Sequence, residues 1–151
     1  MIDGDELERS YKHHLRDYCE WEQRDHASDW VLIVDNLGEA LSIDETILQE
    51  DLVTILSNKA GHCKQGTIVS IVKGTKAEDI IEVLMQIPEE ERLKVKEVTM
   101  DLSSSMRAII SAVFPNAIIV LDCFHVLKRC LDAIEEVMLH LKRDAQVELR
   151  R

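Results

Sequence analysis

The chain has few aromatic residues, which make up only 4% of its 151 residues. A core must therefore be built from Ile, Leu and Val, and the length is sufficient for one domain that buries such a core. No apolar run approaches the roughly 18 residues that span a bilayer, and the polar, acidic N-terminus does not resemble a signal peptide. The sequence therefore predicts a soluble cytoplasmic protein with no membrane partner.

Cysteine is also sparse, and no cysteine lies in a Cys-x-x-Cys pair: the four are Cys19, Cys63, Cys123 and Cys130. This spacing favours reduced thiols over a structural disulfide. A zinc site from Cys123, His125 and Cys130, extended by His62 or Cys63, fits no common ligand pattern. The glycines match no phosphate-binding loop.

Positive charge is in deficit, since 18 basic residues face 29 acidic ones and the formal net charge is −11. A surface that grips nucleic acid usually carries the opposite sign, because phosphates are neutralised by Lys and Arg. The chain therefore either does not hold DNA or lacks the part that does. The stretch from Cys123 to Arg151 is close to neutral and leaves local DNA contact open, with scattered cations at Lys128, Arg129, Lys142, Arg143, Arg150 and Arg151.

Hydrophobic periodicity predicts alternating strands and helices. Residues 1–28 are predicted to form a helical arm or linker with a thin apolar stripe, and 29–151 to form the main domain. The type of the short apolar run 30–34 stays open. Strands are predicted at 41–45, 52–57, 67–72, 94–101 and 117–121. Helices are predicted after a capping box at 75–78, after a Ser cap at 103 or 104, and from about 126.

The predicted order is β-β-β-α-β-α-β-α. Three antiparallel strands are followed by two that return through helices to lie parallel to the first, as right-handed crossovers require. This is the ribonuclease-H-like arrangement of α/β proteins. We therefore predict a mixed five-stranded sheet flanked by helices.

Three predicted strands each carry an aspartate at or near the end: Asp44, Asp101 and Asp122. Parallel neighbouring strands would gather these carboxylates at one edge of the sheet, where α/β proteins bind ligands. Carboxylate oxygens suit Mg²⁺, and two such ions about 3.5–4 Å apart can promote phosphodiester cleavage. The alternative is that each aspartate only caps a turn or helix.

Two residues beside these aspartates remain ambiguous. His125, three residues after Asp122, is expected to bind a metal, hold a phosphate or orient Asp122, or else simply to cap its helix. Glu45 faces away from Asp44 on a pleated strand and is expected to be structural or solvent-exposed.

Several motifs resemble bacterial insertion-sequence transposases of the Asp-Asp-Glu (DDE) type, in the group with an Asp-Arg-Phe-His-Val signature. They are Leu41-Ser42-Ile43-Asp44-Glu45-Thr46, Ser57-Asn58-Lys59 with Lys73-Gly74-Thr75-Lys76, Glu97-Val98-Thr99-Met100-Asp101, and Asp122-Cys123-Phe124-His125-Val126. The resemblance covers about 20–140. It implies a ribonuclease-H-like catalytic domain that cleaves and joins DNA with Mg²⁺ or Mn²⁺. Asp44 and Asp101 match the first two family acids and would be the catalytic metal ligands, with Asp122 and His125 as auxiliaries.

The chain departs from the family pattern at two points. The resemblance implies that the third acid, a glutamate, follows a long insertion, so the domain is expected to be incomplete at its C-terminus and inactive alone. Cys123 stands where the family usually has Arg.

Three hypotheses follow from these observations. The first is the N-terminal part of a transposase catalytic domain, with DNA contacts made through the full-length protein. The second is a non-catalytic remnant that acts as an interaction module or homodimer. The third is a self-sufficient ribonuclease-H-like nuclease that uses Glu136 as the third acid; its neighbour Glu135 lies on the same predicted helix.

Overall fold

A computed structural model describes residues 4, 8, 9, 20–61 and 64–148. In chain order, the strands and helices of residues 20–148 are β1 (Trp30–Leu32), β2 (Ala40–Leu48), β3 (Asp51–Asn58), β4 (Ile68–Lys73), α1 (Ala77–Leu84), α2 (Glu89–Arg92), β5 (Glu97–Met100), α3 (Ser104–Val113), β6 (Ile118–Leu121) and α4 (Cys123–Glu148). Short 3-10 turns occupy Val34–Asn36 and Lys59–Gly61.

The strands form one six-stranded mixed sheet in the order β1-β4-β3-β2-β5-β6. Strands β2, β3 and β4 are joined antiparallel, whereas β5 lies parallel to β2 and β6 parallel to β5. The predicted mixed α/β sheet is confirmed, and the order is consistent with a ribonuclease-H-like domain. The predicted number of five strands is wrong by one.

The additional strand is β1, the run whose type the sequence left open. It pairs antiparallel with β4 at the edge of the sheet. The side chain of Gln23 completes this edge, because its Nε2 donates to the Leu32 carbonyl at 2.6 Å and its Oε1 accepts from the Leu32 N–H at 2.7 Å. A long-range side-chain contact therefore stabilises a strand only three residues long.

Residues 22–29, most of which belong to the segment predicted as a helical arm or linker, form turns. His26 belongs to these turns and stacks on Trp30 with ring centroids 3.5 Å apart. Most of the arm predicted for 1–28 lies outside the described residues, so that prediction and its domain boundary remain predictions.

One face of the sheet is covered by α1 and α3. Side chains alternate along β2, so that Leu41 and Ile43 are buried while Asp44 is exposed. Buried residues of both helices complete the same core, which includes Ile80, Val83, Leu84, Met106, Ile109, Ile110, Val113 and Phe114. The hydrophobic effect of this burial fixes which way each strand faces.

Helix ends differ in part from the predicted ones. The expected capping box at 75–78 is absent: α1 has Lys76 as its N-cap, without a side-chain hydrogen bond. Ser103 does cap α3, accepting from the Met106 N–H at 3.5 Å. Helix α4 begins at Cys123, three residues earlier than predicted.

Helix α4 is 26 residues long and differs from the other helices in its exposure. Each side chain from Val126 to Val147 is exposed. None of the helices in the described part of the chain holds a stretch long and apolar enough to cross a membrane.

Candidate active site

Asp44 and Asp101 occupy corresponding positions on neighbouring parallel strands. The last paired residues of β2 and β5 are Ser42 and Thr99, and each aspartate lies two residues further along its chain. Adjacent strands lie about 4.8 Å apart, and the two-residue period places both aspartates on the face opposite the α1 and α3 core. The strand register therefore puts the two positions that the sequence singled out at corresponding points of adjacent strands.

Each of these carboxylates is held locally through one oxygen. The Glu45 N–H donates to Asp44 Oδ1 at 2.8 Å, and the Ser103 N–H donates to Asp101 Oδ1 at 2.8 Å. Within the described ranges, the second oxygen of neither carboxylate has a hydrogen-bond partner in the protein. One oxygen of each aspartate is therefore available to a ligand.

The pKa of Glu45 is affected by the negative charges of this region. It follows Ile43 on the core side of β2 and is half-buried. Burial raises its pKa above the ordinary value, and the charges of Asp101 and then Asp44 raise the pKa further. Glu45 does face away from Asp44, as predicted, but both aspartates still act on it electrostatically.

Asp122 is aligned with Asp101 along the backbone but has a different local role. Leu121 pairs with Met100, so the aspartates follow matching residues of β6 and β5. The Asp122 carboxylate accepts from the Phe124 N–H at 2.9 Å, which makes it the N-cap of α4. Its other oxygen lies 3.8 Å from His125 Nε2.

The expected convergence of three carboxylates is not seen. Over residues 20–61 and 64–148, no three His, Cys, Asp or Glu side chains come together closely enough to hold a metal ion. The zinc alternative gains no support either, since Cys123 and Cys130 are free and exposed while His62 and Cys63 lie outside the described residues.

A cleft of about 290 Å³ opens beside Asp101, between the end of β5 and the first turns of α4. It is lined by Asp101, Leu102, His125, Lys128, Arg129 and Asp132. In the sequence alone, Lys128 and Arg129 stand out only as scattered cations, and Asp132 does not stand out. The available signal was their spacing with His125, because positions i, i+3, i+4 and i+7 share one helix face.

The alternative third acids lie away from this cleft. Glu135 and Glu136 are exposed on α4, and neither lines the cleft. Glu136 is one helical turn beyond Asp132, or about 6 Å along the axis. Two other clefts, of about 410 and 400 Å³, lie along β1 and β4.

The donor set at Asp44 and Asp101 fits a divalent cation. Mg²⁺ is commonly bound through one or two carboxylates and completes its shell with water and substrate phosphates. Among the described residues, one oxygen of each aspartate has no hydrogen-bond partner in the protein. After burial, the charges of Asp101 and Asp44 add to the raised pKa of Glu45, so three carboxylates lie in one region. A cation would relieve that crowding.

The sheet order and the aligned aspartates are together consistent with the ribonuclease-H-like class of DNA-processing proteins. The sequence model of the DDE_Tnp_ISL3 family, described as Transposase, matches residues 41–151. This match covers more than half of the chain, and the chain therefore belongs to this family of insertion-sequence transposases. No curated protein matches the chain.

Proposed function

We propose that this chain carries part of the catalytic domain of a DDE transposase, in which Asp44 and Asp101 are the catalytic metal ligands. The observation that carries the proposal is the register of β2 and β5, which puts the two aspartates at equivalent positions on one face. Membership of a transposase family supports the same assignment. The partner is then DNA, and the cytoplasm is the expected compartment.

The two aspartates would hold Mg²⁺ or Mn²⁺ through the oxygens for which the described residues provide no hydrogen-bond donor. Such a cation supplies Lewis-acid activation of the phosphodiester and of the attacking oxygen. The backbone N–H groups of Glu45 and Ser103 orient the two carboxylates. The Glu45 carboxylate lies close enough for its pKa to respond to both.

Asp122 and His125 are proposed as auxiliaries of this site. The capping bond from Phe124 fixes the Asp122 carboxylate, and His125 faces both Asp122 and the cleft beside Asp101. No third acid converges on Asp44 and Asp101 among the residues described. We therefore expect the chain alone to be inactive or nearly so in DNA cleavage and strand transfer.

The test is calorimetric titration with Mn²⁺ of the wild type, Asp44→Asn, Asp101→Asn and a control, Asp35→Asn. Asp35 is an exposed aspartate in the turn after β1. Loss of one ligand should weaken uptake about tenfold, or roughly 1.4 kcal/mol, while the control binds like the wild type. Equal weak uptake by all four proteins would contradict the assignment of the site.

Self-association through α4 is a second candidate function. The exposed residues Leu127, Leu131, Ile134, Met138 and Leu141 are spaced alternately four and three residues apart. This is the repeat of a two-stranded coiled-coil seam, and a second copy of the chain could cover it.

Light scattering over a range of protein concentrations tests the dimer. A dimer that dissociates in Leu131→Gln/Met138→Gln but persists in Leu139→Gln would support it, since Leu139 is exposed outside the seam. A wild type that stays monomeric at all concentrations would exclude it, and leaves the metal-site proposal unaffected.

A further inference from the structure

We propose that the cleft between β5 and α4 is a phosphate-binding subsite, in which Lys128 and Arg129 hold a DNA phosphodiester beside Asp101. This inference rests on the proposed function, because it concerns how substrate would be positioned at that site. Both residues would be positioning residues.

One face of α4 forms a wall of the cleft. His125, Lys128, Arg129 and Asp132 share one helix face, and that face lines the cleft together with Asp101. A cleft of about 290 Å³ has room for a phosphate group and part of its sugar backbone. Any anion in the cleft would therefore lie next to the first two turns of α4 and to Asp101.

The cations of the sheet region and those of α4 differ in their ion pairs. Five lysines on the sheet and its connecting segments are each bound to a carboxylate: Lys59 to Glu97, Lys73 to Asp51, Lys76 to Asp79, Lys94 to Glu91 and Lys96 to Glu39. In contrast, Lys128 and Arg129 make no ion pair within the described part of the chain, and the same holds for Lys142 and Arg143 further along α4, which do not line the cleft. Among the described residues, no carboxylate therefore lies within ion-pair distance of Lys128 or Arg129, although the net charge of the protein is −11.

The chemistry of the two side chains matches a phosphodiester. An Arg guanidinium can donate two parallel hydrogen bonds to phosphate oxygens, and a Lys ammonium adds a point charge. Because Asp101 lines the cleft, a phosphate held there would lie next to this one of the two proposed metal ligands. Base edges are not needed for this contact, so it should be independent of sequence.

The two carboxylates of the cleft give the subsite a second property. Asp101 and Asp132 offset the charges of Lys128 and Arg129, so that the cleft is close to neutral without a bound cation. A divalent cation on Asp101 would make the cleft positive. We therefore expect Mn²⁺ to strengthen phosphate binding here, and Asp101→Asn to reduce that strengthening.

The experiment measures fluorescence anisotropy of a short labelled DNA duplex with the full chain, with and without Mn²⁺, over a salt series. Lys128→Gln/Arg129→Gln is compared with Lys142→Gln/Arg143→Gln, which removes the same charge from exposed positions further along α4. The first pair should weaken binding about tenfold and lower the salt slope by about 1–2, whereas the control changes affinity by less than about twofold.

Mn²⁺ uptake by calorimetry separates this inference from the proposed function. Lys128→Gln/Arg129→Gln should take up Mn²⁺ like the wild type, which also reports that the variant is folded. Equal DNA affinity of the two double variants, or no DNA binding by the wild type, overturns the phosphate subsite even if Asp101→Asn loses Mn²⁺. If only Lys128→Gln/Arg129→Gln loses DNA binding, the phosphate subsite is supported, whether or not any of the proteins takes up Mn²⁺. If none of the proteins takes up Mn²⁺, the proposed metal site is excluded instead.

Discussion

Helices α3 and α4 follow neighbouring parallel strands and begin in similar ways, yet their apolar residues have opposite environments. Each begins within three residues of an aspartate at the end of its strand, Asp101 or Asp122. Ile109 of α3 is 1% exposed, whereas Ile134 of α4 is 57% exposed. An amphipathic pattern therefore indicates that a helix face is to be covered, but not whether the same fold covers it.

The spacing of the apolar residues distinguishes the two helices. In α3 the buried residues are Met106, Ile109, Ile110 and Val113, a wide stripe suited to packing on a sheet. In α4, five of the exposed apolar residues, from Leu127 to Leu141, are spaced alternately four and three positions apart, a spacing suited to packing against another helix. The polar side of α4 lines the cleft at Asp101, so this helix presents two different surfaces.

The largest expected effect is on stability. Ile109→Ala should lower the free energy of unfolding by about 2–4 kcal/mol, because it leaves a cavity in the core. Ile134→Ala, at an exposed position, should change it by less than about 0.5 kcal/mol. Urea denaturation at low protein concentration measures both, and near-ultraviolet circular dichroism checks that each variant is folded.

If Ile109→Ala and Ile134→Ala lowered the free energy of unfolding by similar amounts, the proposed difference between α3 and α4 would be wrong. If the loss in Ile134→Ala appeared only at high protein concentration, it would instead indicate that a second copy covers α4.

A smaller effect is expected at the helix caps. Ser103→Ala should lower global stability by about 0.5–1 kcal/mol, because α3 unfolds together with the core. Asp122→Ala should lower the local stability of the first turn of α4 by about 1 kcal/mol and leave the rest of the fold unaffected, because the Phe124 N–H loses its acceptor. Hydrogen exchange at Phe124 should then be about fivefold faster while the urea midpoint stays unchanged.

Equal shifts of the urea midpoint in Ser103→Ala and Asp122→Ala would show that α4 unfolds cooperatively with the sheet. In that case the exposed stripe of α4 would not be an independent surface.

Much of the sheet was predictable because its signals are local. Runs such as Ile118–Leu121 are continuous aliphatic strands, and Pro115 separates the last of them from α3. The right-handed crossover rule then predicted that β5 and β6 lie parallel to β2, and in the structure β5 pairs with β2 while β6 pairs with β5. That placement also aligned Asp44 with Asp101, so the core of the candidate site followed from patterns within a few residues.

The features that were missed depend on contacts between distant parts of the chain. Strand β1 has only three residues and is completed by Gln23, nine positions before Leu32. The capping box at 75–78 matched in sequence, but α1 begins after Lys76, so Thr75 falls outside the cap position. The cleft depends on where α4 lies relative to β5, which no local pattern specifies.

The smallest expected effect concerns Glu45, which lies on the face of β2 that α1 and α3 cover, whereas Asp44 lies on the opposite face. Burial and the charges of Asp101 and Asp44 raise the pKa of Glu45 in the folded protein, so its protonated form is favoured there. At pH values below the pKa that Glu45 has in the unfolded chain, its contribution to stability is fully present. This contribution is lost as the pH rises through the pKa that Glu45 has in the folded protein. Glu45→Gln should therefore be slightly more stable than the wild type at neutral pH and equally stable in acid.

Titration of the Glu45 carboxyl by NMR follows the same group directly. Asp44→Asn should lower the pKa of Glu45, because it removes one of the nearby negative charges. Mn²⁺ is paramagnetic, so Mg²⁺ is the suitable cation here, and its binding at Asp44 and Asp101 should also lower that pKa. Burial, the largest cause, should persist in both cases, leaving the pKa above its ordinary value. A pKa that responds to neither change would mean that the charges on the opposite face do not act across β2.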